Sequence, residues 1–310
     1  MSSLREIKDR IGSVRSTLKI TGAMKLVASA KLRKAQQAAQ ALEPYERTLS
    51  QILSSVLVSS GAADSSVGTA SKMAVVAVAS NSSLCGSFNG NVLRKALEVL
   101  HSGLDDTSGE GRGRSLPAEA AIDVFPIGRR IADPLRKAGF PSAADGLDDL
   151  VAHPSYAAAS AFAESLVQAY NAGIYSSIIL IYSHFVSASR QEVRCETYLP
   201  FEASGISSGP LPSGAADFSG SSLPSGAADF ILEPSAASIV ETLLPQVLRL
   251  KIYSMLLDSA ASEHAARMIA MQTATDNAQD ILDNLTLEYN KGRQQQITAE
   301  ILDIVGGSQQ

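Results

Sequence analysis

Basic side chains are concentrated at the start of this 310-residue chain. Residues 1–47 hold ten lysines and arginines against four carboxylates, a charge of +6, whereas the whole chain carries −5 and the remainder therefore −11. Clustered cations form charge-assisted bonds with carboxylates or phosphates. The pattern predicts an acidic protein surface or a nucleic acid as the partner of this segment. A solvated helix face that binds neither is the alternative.

Side chains that could act in catalysis are scattered. Cys85 and Cys195 stand alone, with no CxxC and no disulfide framework, which predicts reduced and buried thiols. The four histidines are far apart in the sequence, and we expect His264 to be packed and hydrogen-bonded rather than a ligand. These residues predict no metal site.

The motifs of nucleotide enzymes are missing, and so is the zinc-protease motif. The sequence contains no GxxxxGK[ST] phosphate loop, no GxGxxG after a strand and no HExxH. Its GxSxG match, residues 205–209, lies in the Ser/Gly-rich segment 201–232 and lacks the strand before it and the helix after it that a nucleophile elbow requires. The glycines of residues 109–114 follow no strand and predict a loop. We expect a chain that is not an enzyme by itself and holds no cofactor.

The basic segment predicts a long helix over residues 1–59. Ser3 and Glu6 form a capping box that would satisfy free amides in the first turn. Apolar residues then recur every three or four positions, and the first proline is Pro44. A Ser/Gly/Ala linker follows, over residues 59–71.

The middle of the chain, residues 72–200, predicts an α/β domain. Short apolar runs rich in β-branched residues alternate with amphipathic stretches, which favours a largely parallel sheet. We predict strands at residues 73–79, 122–126, 175–183 and 191–199, and helices at residues 90–101 and 155–171.

Two segments are typical of loops. Residues 104–117 are polar and rich in glycine. Residues 201–232 contain the octapeptide LPSGAADF twice, at 211–218 and 223–230, which are too few copies for a solenoid. We expect a flexible and dispensable loop here.

The last segment, residues 233–310, predicts a second long helix. No proline follows Pro245, and small or soft residues repeat in a heptad seam from Leu250 to Tyr289, which suits close packing against one other helix. About 60 helical residues span roughly 90 Å, whereas a compact domain of this length has a radius of gyration of about 19 Å. The predicted fold is α/β: a long antiparallel coiled coil of the terminal helices that protrudes from an inserted Rossmann-like α/β domain.

The longest apolar runs, residues 73–79 and 178–182, are too short to span a bilayer. Residues 1–20 lack the apolar core of a signal peptide, and Glu6 and Asp9 argue against a transit peptide. We therefore expect any membrane association to come through partners.

Several blocks of sequence, in order and at matching spacing, resemble the gamma subunits of F-type ATP synthases. They are residues 5–11 (REIKDRI), 19–28 (KITGAMKLVA), 84–86 (LCG) with Asn89, 261–268 (ASEHAARM), 275–278 (TDNA), 289–294 (YNKGRQ) and 297–300 (ITAE). The resemblance covers both ends and the α/β core and fails only in residues 104–121 and 203–230.

The resemblance implies a central rotor shaft that couples proton flow through a membrane sector to ATP synthesis and hydrolysis at catalytic subunits. Its implied partners are three alpha and three beta subunits, an epsilon subunit and a membrane ring of c subunits. No nucleic acid and no direct membrane insertion are implied. The implied location is the cytoplasmic face of the bacterial plasma membrane.

The resemblance also implies contacts for particular residues. Met24 and Lys25 would meet the acidic lever loop of a catalytic subunit, with the Lys25 side chain exposed. Arg293 and Gln294 would contact the inner loops of the catalytic ring, and residues Ile301 to Val305 would lie in its apolar bearing. Three basic residues would lie near the foot of the rotor, facing the epsilon subunit and the membrane ring: Lys31, Arg33 and Lys34.

The sequence departs from the family in its middle loop. Asn81, Ser82 and Ser83 replace the usual acidic–basic–Gly triplet, so a charged contact at this loop is in question. Two other classes of function remain as alternatives. One is a coiled-coil nucleic-acid-binding or scaffold protein, although the basic helix lacks interleaved aromatics. The other is a Rossmann-like nucleotide enzyme, against which the missing glycine fingerprint counts.

Overall fold

The computed structural model of the chain describes residues 4–60, 72–102, 122–144, 146–201 and 235–307. Their elements, in chain order, are α1 (Leu4–Ser60), β1 (Lys72–Val78), α2 (Phe88–Ser102), β2 (Ile122–Ile127), α3 (Arg129–Lys137), α4 (Asp148–Ala152), α5 (Tyr156–Asn171), β3 (Tyr175–Phe185), β4 (Gln191–Leu199) and α6 (Ala236–Gly307).

The two terminal helices form an antiparallel pair, which confirms the predicted coiled coil. α1 has 57 residues and α6 has 72, which correspond to about 85 Å and 110 Å. Near one end of the pair Leu4 touches Gly292, and further along the Thr275 hydroxyl donates a hydrogen bond to the Thr21 hydroxyl at 2.9 Å. We call this pair the rod.

The heptad seam predicted for α6 faces α1 or the domain core. All of its positions are buried or half-buried: Leu250, Ser254, Leu257, Ala261, His264, Met268, Met271, Thr275, Ala278, Leu282, Leu285 and Tyr289. Pro44 lies inside α1 and Pro245 inside α6, so neither proline begins or ends a helix. Small residues of α6 leave room for side chains of α1, as at Gly292, where an added Cβ atom would lie 2.9 Å from Leu4 Cδ2.

The domain between these helices is built on a four-stranded sheet in the order β2-β1-β3-β4. β1 pairs in parallel with both β2 and β3, and β4 pairs antiparallel with β3. Apart from Lys72, every residue of β1 is buried, because helices cover both faces of the sheet. The four predicted strands are thus confirmed to within about two residues, as is the largely parallel sheet.

Two apolar clusters fill the two sides of the sheet. On one side α2 and α3 pack against alternate β1 residues through side chains such as Val92, Ile131 and Leu135. On the other side α5 contributes Phe162, and α6 contributes Ile252, among others. α6 is therefore both half of the rod and part of the core of the α/β domain.

Helices α3 and α4 were not predicted from the sequence. α3 begins after Gly128, whose φ of 109° and close approach to Ala79 require a residue without a side chain. The capping residue Ser3, the loop at 104–117 and the duplicated segment lie outside the described residues. Of the linker predicted at 59–71, the first two residues belong to α1 and the rest also lie outside the described residues. The division into domains at residues 59, 72, 200 and 232 therefore stays a prediction.

Candidate functional site

The first candidate surface is a band halfway along the rod. Met24 and Lys25 are both half-buried there, so the Lys25 side chain is less accessible than predicted. Their neighbours Ile20, Leu26 and Val27 are exposed, and Leu26 keeps 70% of its surface. Lys25 forms no salt bridge with any residue that the structure describes. The band, residues 20–27, thus presents apolar contact area around one unpaired cation.

Sequence reasoning did not find the apolar part of this band. Ile20, Leu26 and Val27 lie off the stripe that packs against α6, and residue type alone does not show on which side a residue lies. Three exposed apolar residues close together on one helix are typical of a surface that another protein covers.

The second candidate surface is the free end of α6. α1 starts at Leu4, beside Gly292, so residues 293–307 extend past the described end of α1 and form what we call the tip. Arg293 and Gln294 are exposed at its base. Four large apolar residues follow in exposed positions, up to 72% for the last: Ile297, Ile301, Leu302 and Ile304. Val305 belongs to the helix, but its side chain is outside the described part.

The band and the tip are separated along the rod. By the antiparallel pairing of Thr21 with Thr275, Lys25 lies level with about residue 271 of α6. Arg293 is therefore about 33 Å further along the rod, and Ile301 about 12 Å beyond Arg293. The structure does not bring the predicted contact residues into one site, but places them at successive positions along the rod.

The third candidate surface is basic and lies where the rod meets the α/β domain. Lys31, Arg33 and Lys34 are all exposed, whereas Leu32 between them is buried against Ala261 and Ala265 of α6. The three cations make no salt bridge among the described residues. Together they form an unpaired positive patch, suited to an acidic partner.

His264 lies in the rod behind this patch. Burial, with the nearby charges of Arg267 and Lys31, lowers the pKa of His264 to about 4, so the ring is neutral at neutral pH. Its Nδ1 atom is buried and has no hydrogen-bond partner within the described residues. The expectation of a hydrogen-bonded histidine is therefore wrong for this nitrogen.

A polar junction joins the end of α1 to α6 and β4. Glu196 accepts hydrogen bonds from Lys251 Nζ at 2.8 Å and from the Tyr182 hydroxyl at 2.9 Å. Burial opposes ionisation of Glu196, but these partners outweigh it and lower its pKa. Burial also raises the pKa of Glu46, and a hydrogen bond from Ser254 only partly offsets this. No sequence pattern predicts this network, because its members are distant in the chain.

The edge of the sheet that binds ligands in open α/β folds is occupied by α6. Such folds bind ligands at the carboxyl ends of strands where the strand order reverses. Here that edge lies at the ends of β1 and β3. Arg267 Nη2 of α6 donates to Ser82 Oγ at 2.7 Å after β1, and Ser262 Oγ donates to the Ser183 carbonyl of β3 at 3.0 Å. This packing argues against a Rossmann-like nucleotide enzyme.

Besides the bond from Arg267, the loop after β1 is held by hydrogen bonds between neutral groups. Ser80 N–H donates to Asn89 Oδ1 at 3.0 Å, and the Asn81 side chain bridges the Asp148 carbonyl and the backbone N–H of Arg129. The uncharged residues that replace the acidic–basic–Gly triplet thus bind within the chain. Leu84, with φ of 68°, remains exposed at the loop's apex.

The residues that the structure describes contain no group of three or more His, Cys, Asp and Glu side chains that could hold a metal ion. None of their helices is long and apolar enough to cross a membrane.

Comparison with known proteins identifies the family. A family model described as ATP synthase matches residues 3–309. The ATP synthase gamma chain of Phocaeicola vulgatus is 43% identical over 319 residues, covering 99% of both chains. That of Bacteroides thetaiotaomicron is 42% identical over 313 residues, covering both chains fully.

Solved structures share the fold at lower identity. A chain of the Euglena gracilis mitochondrial ATP synthase (OSCP/F1/c-ring, rotational state 3) aligns with a TM-score of 0.57 at 16% identity, covering 98% of this chain and 92% of that one. A chain of the Tetrahymena thermophila mitochondrial ATP synthase central stalk and c-ring aligns with a TM-score of 0.53 at 21% identity, covering 82% and 99%. None of these relatives supports the nucleic-acid-binding alternative. With a family match over the whole chain and full-length relatives above 40% identity, the chain belongs to the ATP synthase gamma chain family.

Proposed function

We propose that this gamma chain is the central rotor shaft of an F-type ATP synthase, coupling proton flow through the membrane sector to ATP synthesis and hydrolysis. The single observation that supports this most strongly is the rod. Its band and tip expose apolar and basic residues at successive heights, whereas the ligand edge of its α/β domain is filled by α6. The chain itself is non-catalytic in this proposal.

The proposed stator contacts follow the order of the surfaces along the rod. Met24 and Lys25 in the band meet the acidic lever loops of three catalytic beta subunits, since Lys25 is an unpaired cation. Arg293 and Gln294 contact the inner loops of the ring of three alpha and three beta subunits. The tip, with Ile301 to Val305, turns in an apolar bearing. Apolar contacts are non-directional, so they do not hold the tip in one orientation as it rotates.

The proposed load contacts lie further along α1, where the rod meets the α/β domain. Lys31, Arg33 and Lys34 face an epsilon subunit and the membrane ring of c subunits. The complex would hold this chain at the cytoplasmic face of the bacterial plasma membrane through those partners. The positive patch is exposed, as such a docking surface must be.

The asymmetry of the rod provides the mechanism. One shaft inside a ring with three like catalytic subunits presents a different face to each, so identical chains are held in different states. A shaft changes the state of a site only through differential contact free energy, and about 5.5 kcal/mol moves a two-state site from 1:99 to 99:1. Rotation by one third of a turn passes these contacts to the next subunit.

Co-expression with the alpha and beta subunits tests the proposal. We expect a complex of three alpha, three beta and one gamma chain, with steady-state ATP hydrolysis that depends on this chain. Mass spectrometry of the intact complex gives the stoichiometry. Two gamma chains per six nucleotide-binding subunits, or equal hydrolysis without the gamma chain, would contradict a single central shaft.

A further inference from the structure

Directional hydrogen bonds fasten α6 to the end of β3. Asp258 Oδ1 accepts from the backbone N–H of Phe185 at 2.8 Å, and Asp258 Oδ2 is 2.5 Å from His184 Nδ1. One turn along, the buried Ser262 hydroxyl donates to the Ser183 carbonyl at 3.0 Å. Asp258 and Ser262 of α6 thus bind three consecutive residues, 183–185, at the end of β3.

An arginine fastens the same helix to the loop after β1. Arg267 Nη2 donates to Ser82 Oγ at 2.7 Å, and approaches the Ser83 carbonyl at 3.4 Å. Its other terminal nitrogen, Nη1, is 2.6 Å from Glu263 Oε1, and the two side chains are only 12% and 10% exposed. Glu263 therefore holds the guanidinium in one orientation, so that its free edge points into the loop.

We propose that Asp258, Ser262 and Arg267 form a clamp that transmits torque between the shaft and the α/β domain. Within the clamp, Glu263 orients Arg267, and Arg267 holds the loop after β1. This inference rests on the proposed rotor function. It adds to that function the residues that make the shaft and the domain rotate as one body.

The physical reason is the difference between apolar and hydrogen-bonded contacts. The remaining contacts of α6 with the domain are apolar side chains such as Ile252 and Met255 and, nearer the start of the helix, polar links such as that of Lys251 to Glu196. Apolar burial is non-directional and resists separation more than rotation of the helix about its axis. Hydrogen bonds lose strength when their geometry is turned, so the clamp supplies resistance to twist.

The chemistry of Arg267 suits neutral acceptors. Its planar fork can bind Glu263 and the loop at once, whereas a lysine offers one compact charge. The uncharged Ser82 and Ser83 provide a hydroxyl and a carbonyl in place of a charged partner. We therefore expect Arg267→Lys to replace only part of the function.

The test uses the complete membrane-reconstituted complex and measures protons pumped per ATP hydrolysed. Arg267→Met removes the link to Ser82, and Arg136→Met is the control, because Arg136 pairs with Asp133 on the exposed face of α3, away from the clamp. We expect Arg267→Met to keep most of the hydrolysis rate but to lose half or more of the pumping ratio. Arg267→Lys should lie between, and the control should match the parent.

A reversible crosslink separates a clamp from a merely structural role. A Cβ atom added at Gly86 would lie 3.8 Å from the Cβ atom of Ala270, which is the usual separation across a disulfide. Cysteines at Gly86 and Ala270, in a Cys85→Ser background, should form a disulfide that ties the loop to the shaft. Oxidation should restore the pumping ratio of Arg267→Met, and reduction should abolish it again.

An unchanged pumping ratio in Arg267→Met, or a lost ratio that the crosslink does not restore, overturns the proposal. If Arg267→Met fails to assemble, Ser82→Ala decides, because it removes one acceptor and leaves the Arg267–Glu263 pair intact. If Ser82→Ala then pumps as many protons per ATP as the parent complex, the clamp proposal is wrong. If it pumps fewer and the crosslink restores the ratio, the proposal is supported. The rotor function fails separately, if the parent complex hydrolyses ATP equally well without this chain.

Discussion

Replacement of Gly128 by alanine should destabilise the α/β domain more than most single substitutions. Gly128 links β2 to α3, with φ of 109°. A Cβ atom there would lie 2.3 Å from the carbonyl oxygen of Ala79 and 3.1 Å from that of Ser80. Both obstacles are backbone atoms, so no side-chain rotation relieves the overlap. The backbone at Gly128 and the backbone at residues 79–80 must therefore separate.

The expected cost has two parts. A side chain in this region of φ costs about 1–3 kcal/mol. Separation of the segments also strains two backbone hydrogen bonds, Ala79 N–H to Ile127 at 2.9 Å and Arg130 N–H to Ser80 at 3.1 Å, each of which contributes about 1 kcal/mol. We therefore expect a total loss of about 3–5 kcal/mol in the free energy of unfolding.

Gly139→Ala is the matched control. Gly139 also has a positive φ, 95°, but a Cβ atom there meets nothing within 4 Å, so only the conformational part, about 1–3 kcal/mol, remains. Urea unfolding can be followed by the near-ultraviolet dichroism of tyrosines, because Tyr175, Tyr182 and Tyr198 are buried in this domain. Equal losses for the two variants would refute the steric reasoning.

Three further predictions concern protonation and ligands. Because the pKa of His264 is lowered from 6.5 to about 4, the unfolded chain binds a proton that the folded chain rejects. Thermal melting should show stability falling as the pH drops from 6.5 to about 4, and falling less in His264→Gln. Burial raises the pKa of Glu46, so the folded chain binds a proton here more tightly than the unfolded chain does. The folded state therefore loses stability as the pH rises above 4.5 and Glu46 must ionise. Glu46→Gln should therefore melt higher than the parent at neutral pH, with the difference vanishing near pH 4, whereas an equal gain at both would contradict this. Calorimetry of the isolated chain with ATP should detect no binding, and a micromolar dissociation constant would contradict a non-catalytic shaft.

The rod and the sheet could be predicted because each has a long or repeated signal. The heptad seam of α6 runs for some forty residues, from Leu250 to Tyr289, and every position in it is buried or half-buried. The central strands are continuous apolar runs, typical of parallel strands covered on both faces. α3 was missed because its two buried residues, Ile131 and Leu135, are a weak signal in a basic segment interrupted by Pro134.

The functional surfaces were predicted less completely. The blocks of sequence led to Lys25 and Arg293, but whether a side chain is exposed depends on packing, and Lys25 is half-buried while Leu26 is open. The clamp joins residues 185 positions apart, Ser82 and Arg267. No local pattern encodes such a contact, because only the folded chain brings the end of β1 to α6.

The central claim is that the rod must turn past each catalytic subunit in turn. The band offers the most direct place to stop it. Lys25→Cys, paired with a cysteine in the acidic lever loop of a beta subunit, should form a disulfide on oxidation. Since Lys25 is half-buried, the neighbouring and more exposed Leu26 supplies a second site, as Leu26→Cys.

A disulfide tolerates only a few ångströms of movement, so the crosslinked shaft cannot rotate. Oxidation should stop steady-state ATP hydrolysis, and reduction should restore it. Complexes with either cysteine alone should keep their activity under the same oxidation. Continued hydrolysis at the uncrosslinked rate, in complexes whose crosslink is complete by gel analysis, would contradict an obligatory rotor.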